Sequence, residues 1–154
     1  RTQSYNEMSA RYVPLPDENY VPSIERIITG ANAVTKNKQA QGLHAVHVDE
    51  LTAKACQISI KEAYRITQNA YAGMLEEGMP KELARLVIPV GRYSKMRAGA
   101  NLRNWLGFLA LRQANGAQSE IRDYADAVNT LLVEKFPRTL GLFNDSIKQE
   151  QHHG

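Results

Sequence analysis

Hydrophobic and polar positions fall into two regimes along this chain. In the first third no period holds for long. Residues 13–24 contain Pro14, Pro16 and Pro22, whose fixed φ and missing N–H oppose helix and favour extended or turning backbone. From Ile24 to His47 no clear repeat appears, and Gly30, Asn32, Asn37 and Gly42 predict a long surface excursion. Beyond that the helical period takes over. Asp49 reads as the N-cap of a long helix reaching Glu76 or Glu77, with Gly78 as its left-handed stop. Pro80 suits the first turn of a short second helix ending near Ile88, followed by a loop with Pro89, Gly91 and Gly99. Asn101 caps a third helix through Arg112, with Leu102, Trp105, Leu106 and Leu109 on one face. A fourth runs from about Gln118 to Lys135 on the stripe Ile121, Tyr124, Ala125, Val128, Leu131 and Leu132, with Pro137 just past its end. Residues from Gln149 to His153 read as a polar tail. The expected organisation is one domain: an arm over 1–12, a loop-rich stretch over 13–48 and a helical core over 49–136.

Composition narrows the class. The 154 residues are 43% hydrophobic and 23% charged, an ordinary globular balance with enough chain for a core. A net charge of +3 favours anionic ligands, but the basic residues are scattered among acidic ones, which argues against a nucleic-acid surface. No apolar run approaches the length of a membrane span. One cysteine, Cys56, leaves no intramolecular disulfide and suits a reducing, cytoplasmic setting; among its apolar neighbours it reads as a buried structural thiol. His44 and His47 lack the further ligands a metal site needs, so no metal is expected.

The chemistry concentrates in the first twelve residues, Arg1 to Tyr12. In extended backbone, residues two apart share a face, so Glu7, Ser9 and Arg11 would project together. A guanidinium beside a hydroxyl suits an anionic oxygen, because Arg offers a bidentate fork and Ser a third donor. Glu7, an acceptor when ionised, suits an N–H of the same ligand. Those residues by themselves specify a small anionic ligand with a polar ring, and an exposed polar arm is the plainer alternative.

The order Arg-x-x-Ser-x-Asn-Glu-x-Ser-x-Arg-Tyr also resembles the signature of the flavin-dependent thymidylate synthases, with Arg1 as the second arginine of their Arg-His-Arg triplet. The similarity continues through Glu82 to Pro89, Asn101-Leu102-Arg103, Phe108 to Arg112, Ala117 to Arg122 and Phe136-Pro137, five blocks in order over roughly residues 1 to 143. The resemblance implies an α+β fold, a twisted sheet with flanking helices, of which this chain would be the mostly helical C-terminal portion. It implies a homotetramer with active sites between subunits. The implied reaction is reductive methylation of dUMP to dTMP, with methylenetetrahydrofolate donating carbon, FAD as cofactor and NADPH restoring the flavin. By the same resemblance, Glu7, Met8, Ser9, Ala10, Arg11, Arg85 and Arg112 would contact dUMP. Arg1, Thr2, Glu7, Asn101, Arg103 and Gly107 would contact FAD. No protein nucleophile is implied; Arg112 would activate the substrate.

Several of these positions have structural alternatives. Arg85 interrupts the apolar run Leu83 to Ile88, so its charge needs a partner such as Glu82 or a wet site. Arg112 at a helix C-terminus gains about 0.3–1 kcal/mol from the macrodipole without any ligand. Asn101 could serve as an N-cap alone. Arg103 and Arg112 lie roughly two and a half turns apart and so face opposite sides of their helix. Gly107 stands where many relatives carry His or Asn. Two other readings remain open: a folded, non-catalytic remnant of the same family, and a basic helical module for nucleic acid.

Overall fold

A computed structural model describes residues 3–32 and 47–152, with side chains through residue 147. Its elements are β1 (Ser4–Glu7), α1 (Ile24–Asn32), α2 (Glu50–Glu76), α3 (Lys81–Ala84) with a 3-10 turn over Arg85–Val87, β2 (Met96–Gly99), α4 (Leu102–Arg112), α5 (Ser119–Lys135) and α6 (Pro137–His152). The two strands pair as an antiparallel ribbon, so the architecture is α+β with helices dominant. The chain divides into two compact units, Tyr5–Arg97 and Arg1–Ser4 with Ala98–Gly154.

In the first of these, α2 is the long support against which α1, α3 and the 3-10 turn pack. Asp49 starts it, its carboxylate accepting the Thr52 N–H at 2.8 Å, and Gly78 ends it at φ 81°. Hydrogen bonding from the Thr52 side chain, and next from its N–H, holds the Asp49 carboxyl below its ordinary range. Ala53, Tyr71 and Ala84 are buried in this unit. Helix α1 occupies the start of the stretch expected to be a surface excursion without a period, and corrects that reading. Ser23 Oγ accepts the Arg26 N–H at 3.0 Å, and Ile24, Ile27 and Ile28 recur at helical spacing. Residues 33–46, including His44, lie outside the described residues. Cys56 is exposed on α2, contrary to the buried thiol expected, because its neighbours Ala55 and Ile58 face outward as well.

The second unit is a three-helix layer in which α5 packs on both α4 and α6. Leu109, Ala125 and Leu140 are fully buried, with Leu102, Leu106, Phe108, Val128, Leu132 and Phe143 around them. Trp105 meets Phe108 edge to face at 5.7 Å between ring centres. Tyr124 and Leu131, expected on the packed stripe of α5, are instead exposed. Pro137 does more than stop α5. It occupies the first position of α6, where its absent N–H costs nothing, and the helix runs into the region read as a polar tail.

Candidate functional site

Residues 7–11 of the arm gather around an open cleft of about 500 Å³. Its lining is Glu7, Met8, Ser9, Ala10, Arg11, Leu15, Arg85 and Ile88, all within the Tyr5–Arg97 unit. Five consecutive arm residues could not line one cleft in continuous extended backbone, since alternate side chains would point away. The chain solves this by leaving β1 after Glu7 and turning. The Met8 N–H bonds Lys95 O at 2.8 Å, then the N–H groups of Tyr12 and Val13 both reach Ser9 O, at 3.1 and 3.3 Å. The strict alternation expected through Arg11 therefore ends at Glu7, and convergence comes from the turn.

Local contacts fix the donors. The Arg11 N–H donates to Ser9 Oγ at 3.4 Å, which leaves the Ser9 hydroxyl hydrogen to donate elsewhere. The Arg11 guanidinium lies over the Tyr12 ring, 5.5 Å from its centre. Lys81 at the start of α3 donates to Tyr12 O at 3.1 Å, holding the turn. Arg85 joins the lining from the 3-10 turn. It is exposed, and the ion pairs found among the described residues do not include it. The wet-site alternative for Arg85 thus prevails over pairing with Glu82. The cleft is lined by two arginines and a serine, one glutamate, and the apolar Leu15 and Ile88. Guanidiniums and a hydroxyl suit an anion, a carboxylate suits an N–H, and apolar side chains suit a ring face.

Leu15 was not foreseen as a site residue. The signal is its position between Pro14 and Pro16, which fixes both its own backbone and that of its neighbours in extended form.

The remaining candidates belong to the Ala98–Gly154 unit or lie undescribed. Asn101 caps α4, its Oδ1 accepting the Asn104 N–H at 2.9 Å. Only the amide oxygen is engaged in that bond, so capping and ligand binding are compatible. Arg103 and Arg112 are exposed near the two ends of α4, and Arg112 is not among the residues lining the cleft. At Gly107 a Cβ would meet nothing within 4 Å, so no packing contact demands glycine there. Arg1 and Thr2 lie outside the described residues.

Fold and cleft together define an α+β protein with an open cleft lined by two arginines, a serine and a glutamate. Comparison with known proteins carries this further. The family described as thymidylate synthase complementing protein matches residues 1–138. The flavin-dependent thymidylate synthase of Thermus thermophilus is 35% identical over 147 residues, 96% of this chain and 50% of that one. That of Anaplasma marginale is 39% identical over 132 residues, 83% of this chain and 42% of that one. A UMP/dUMP methylase, PolB from Streptomyces cacaoi, solved with 5-Br dUMP, superposes with a TM-score of 0.77 at 30% identity, covering 94% of this chain and 62% of that one. The same protein with 5-Br UMP gives 0.78. The chain belongs to the flavin-dependent thymidylate synthase family. It spans about half the length of the curated relatives it matches.

Proposed function

We propose that this chain supplies the nucleotide cleft of an FAD-dependent thymidylate synthase, which methylates dUMP to dTMP with methylenetetrahydrofolate and NADPH. The observation that carries the reading is the convergence of Glu7, Met8, Ser9, Ala10, Arg11 and Arg85 on one cleft. These are six of the seven positions that the family resemblance assigns to dUMP. Arg11, Arg85 and the Ser9 hydroxyl would hold the 5′-phosphate by charge-assisted hydrogen bonds. Glu7 would accept from the uracil N–H, with Leu15 and Ile88 against the apolar part of the nucleotide. Arg112 is assigned to substrate activation on resemblance alone. A cation near the uracil carbonyls would stabilise charge developing on the ring.

The residues available to FAD suit it. Asn101 and Arg103 are exposed at the N-terminal end of α4, where unpaired N–H groups and the helix dipole favour anionic oxygens, and the space at Gly107 is open. Bound FAD, reduced by NADPH, would supply the reducing equivalents. The family resemblance implies a homotetramer, and association between copies would cover the exposed Leu51, Ile58 and Ile66 along one face of α2.

Two forms of the substrate are in view, because the solved relative is named a UMP/dUMP methylase and is seen with bromo derivatives of both. An assay with FAD, NADPH, methylenetetrahydrofolate and either dUMP or UMP tests both points. Formation of methylated nucleotide with flavin absorbance retained on the protein supports the reading. A colourless protein that stays so with added FAD, and forms no product, would support the non-catalytic alternative.

A further inference from the structure

One wall of the cleft is anchored by a buried cation outside the assigned site. The Arg92 side chain is only 2% exposed. Its Nη1 donates to Pro16 O, its Nη2 to Gln68 Oε1 of α2, and Nη1 lies 3.2 Å from the mostly exposed Asp17 carboxylate. Its Nε is buried with no partner. This is a poorly compensated charge, held chiefly by neutral oxygens and a carboxylate shared with solvent. A merely packed position would be served better by an apolar side chain, because desolvating an incompletely paired cation is unfavourable. What the guanidinium does uniquely is bridge: its planar fork reaches the Pro16 carbonyl and the Gln68 side chain at once, tying the backbone at Pro16 to α2.

The tied segment is the continuation of the cleft wall. Leu15, which lines the cleft, directly precedes the Pro16 carbonyl that Arg92 grips. Around it the ladder is short: Asn19 bridges Arg92, the Tyr20 N–H reaches Gly91 O at 2.8 Å and the Tyr93 N–H reaches Glu18 O at 2.8 Å. These bonds begin at residue 18. Asn19 Nδ2 also donates to Asp17 Oδ1 at 3.2 Å, a bond that stays within the segment. Among the described hydrogen bonds, it is Arg92 that carries residues 15–17 across to α2, through Pro16 O and Gln68 Oε1.

Resting on the nucleotide reading above, we infer that Arg92 is a positioning residue for nucleotide binding, which acts by holding Leu15 against the ligand through Pro16. Misplacing a contact by about 1 Å can cost up to about a hundredfold in function. Here one wall of an open cleft is affected, and the expected loss is about tenfold. The test is equilibrium titration of dUMP into the full chain and its variants at a temperature where circular dichroism shows each to be folded. Arg92→Gln should weaken dUMP binding about tenfold, and Arg92→Lys, which keeps the charge and part of the bridging, should recover much of that loss. Leu15→Ala should weaken binding by itself, and adding Arg92→Gln to it should cost little more, since both act on one contact. A purely structural role would lower the melting temperature of Arg92→Gln and leave dUMP affinity within twofold, which would overturn the inference alone. Full additivity in the double variant would do the same. Failure of the unsubstituted chain to bind dUMP would overturn the nucleotide reading and this inference with it.

Discussion

Replacing Gly91 with alanine probes the joint between the cleft wall and α2. An added Cβ would collide with Tyr64 Oη and sit 2.9 Å from its Cζ. Ring rotation offers no escape, because Oη and Cζ lie on the χ2 axis. The whole side chain must swing away, and the hydroxyl then abandons Tyr20 O, to which it donates at 2.9 Å. Overpacking of this kind costs about 1–3 kcal/mol and a lost hydrogen bond about 0.5–1.5 kcal/mol, so Gly91→Ala should destabilise by about 2–4 kcal/mol. Urea unfolding followed by circular dichroism measures this as a lower midpoint at unchanged slope. Tyr64→Phe removes the nearest atom but leaves Cζ tight, so the pair Gly91→Ala with Tyr64→Phe should be less damaged than the two single losses added together. A Gly91→Ala protein within about 0.5 kcal/mol of the parent, the range of neutral surface changes, would refute the close approach.

Further consequences concern the ligands and the helix ends. Arg11→Ala should weaken dUMP binding by about 10–100-fold, the scale of a charged hydrogen bond, while flavin content changes less; titration and visible absorbance compare the two, and the opposite ranking would remove Arg11 from the nucleotide site. Arg103→Ala should chiefly reduce flavin occupancy, and unchanged absorbance after gel filtration would exclude that role. Gly107→Ala should raise stability by about 0.5–1 kcal/mol, since glycine in a helix interior is costly and the new methyl meets open space; a loss of stability would show an unseen contact. The Asp49 carboxyl titrates below its ordinary value because the Thr52 side chain, and next its N–H, bond the ionised form. Its contribution is therefore complete above the unfolded carboxyl value of about 4 and fades as pH falls through the lower folded value. Asp49→Asn should lack that acid-side loss, as thermal melts between pH 2 and 6 would show.

What could be read in the sequence was mostly local. Asp49, Gly78 and Asn101 announce helix ends by side-chain and backbone chemistry that acts within four residues, and the structure has those ends there. The stretch Met96-Arg97-Ala98-Gly99 has no strand signal of its own. It is extended because β1, about ninety residues earlier, pairs with it, and such partners leave no local trace. Helix α1 hid behind Gly30 and Asn32, although its isoleucines keep the period. Helix α6 hid behind Pro137, which marks a stop and a start equally well. The cleft was legible in its residues but not in its shape. Alternation predicted Glu7, Ser9 and Arg11 on one side, and only the turn at Ser9 brings Met8 and Ala10 to the same cleft. Arg92 offered no sequence signal, because its role depends on meeting Pro16 and Gln68 in space.

The central claim is that the cleft of Ser9, Arg11 and Arg85 grips the phosphate of a uridine nucleotide. Parallel calorimetric titrations with dUMP and with deoxyuridine test it most directly, since the two differ only in that phosphate. The account predicts that dUMP binds and that deoxyuridine binds at least about tenfold more weakly, the scale of one charged hydrogen bond. Equal affinity for the two, or binding of neither, would contradict it.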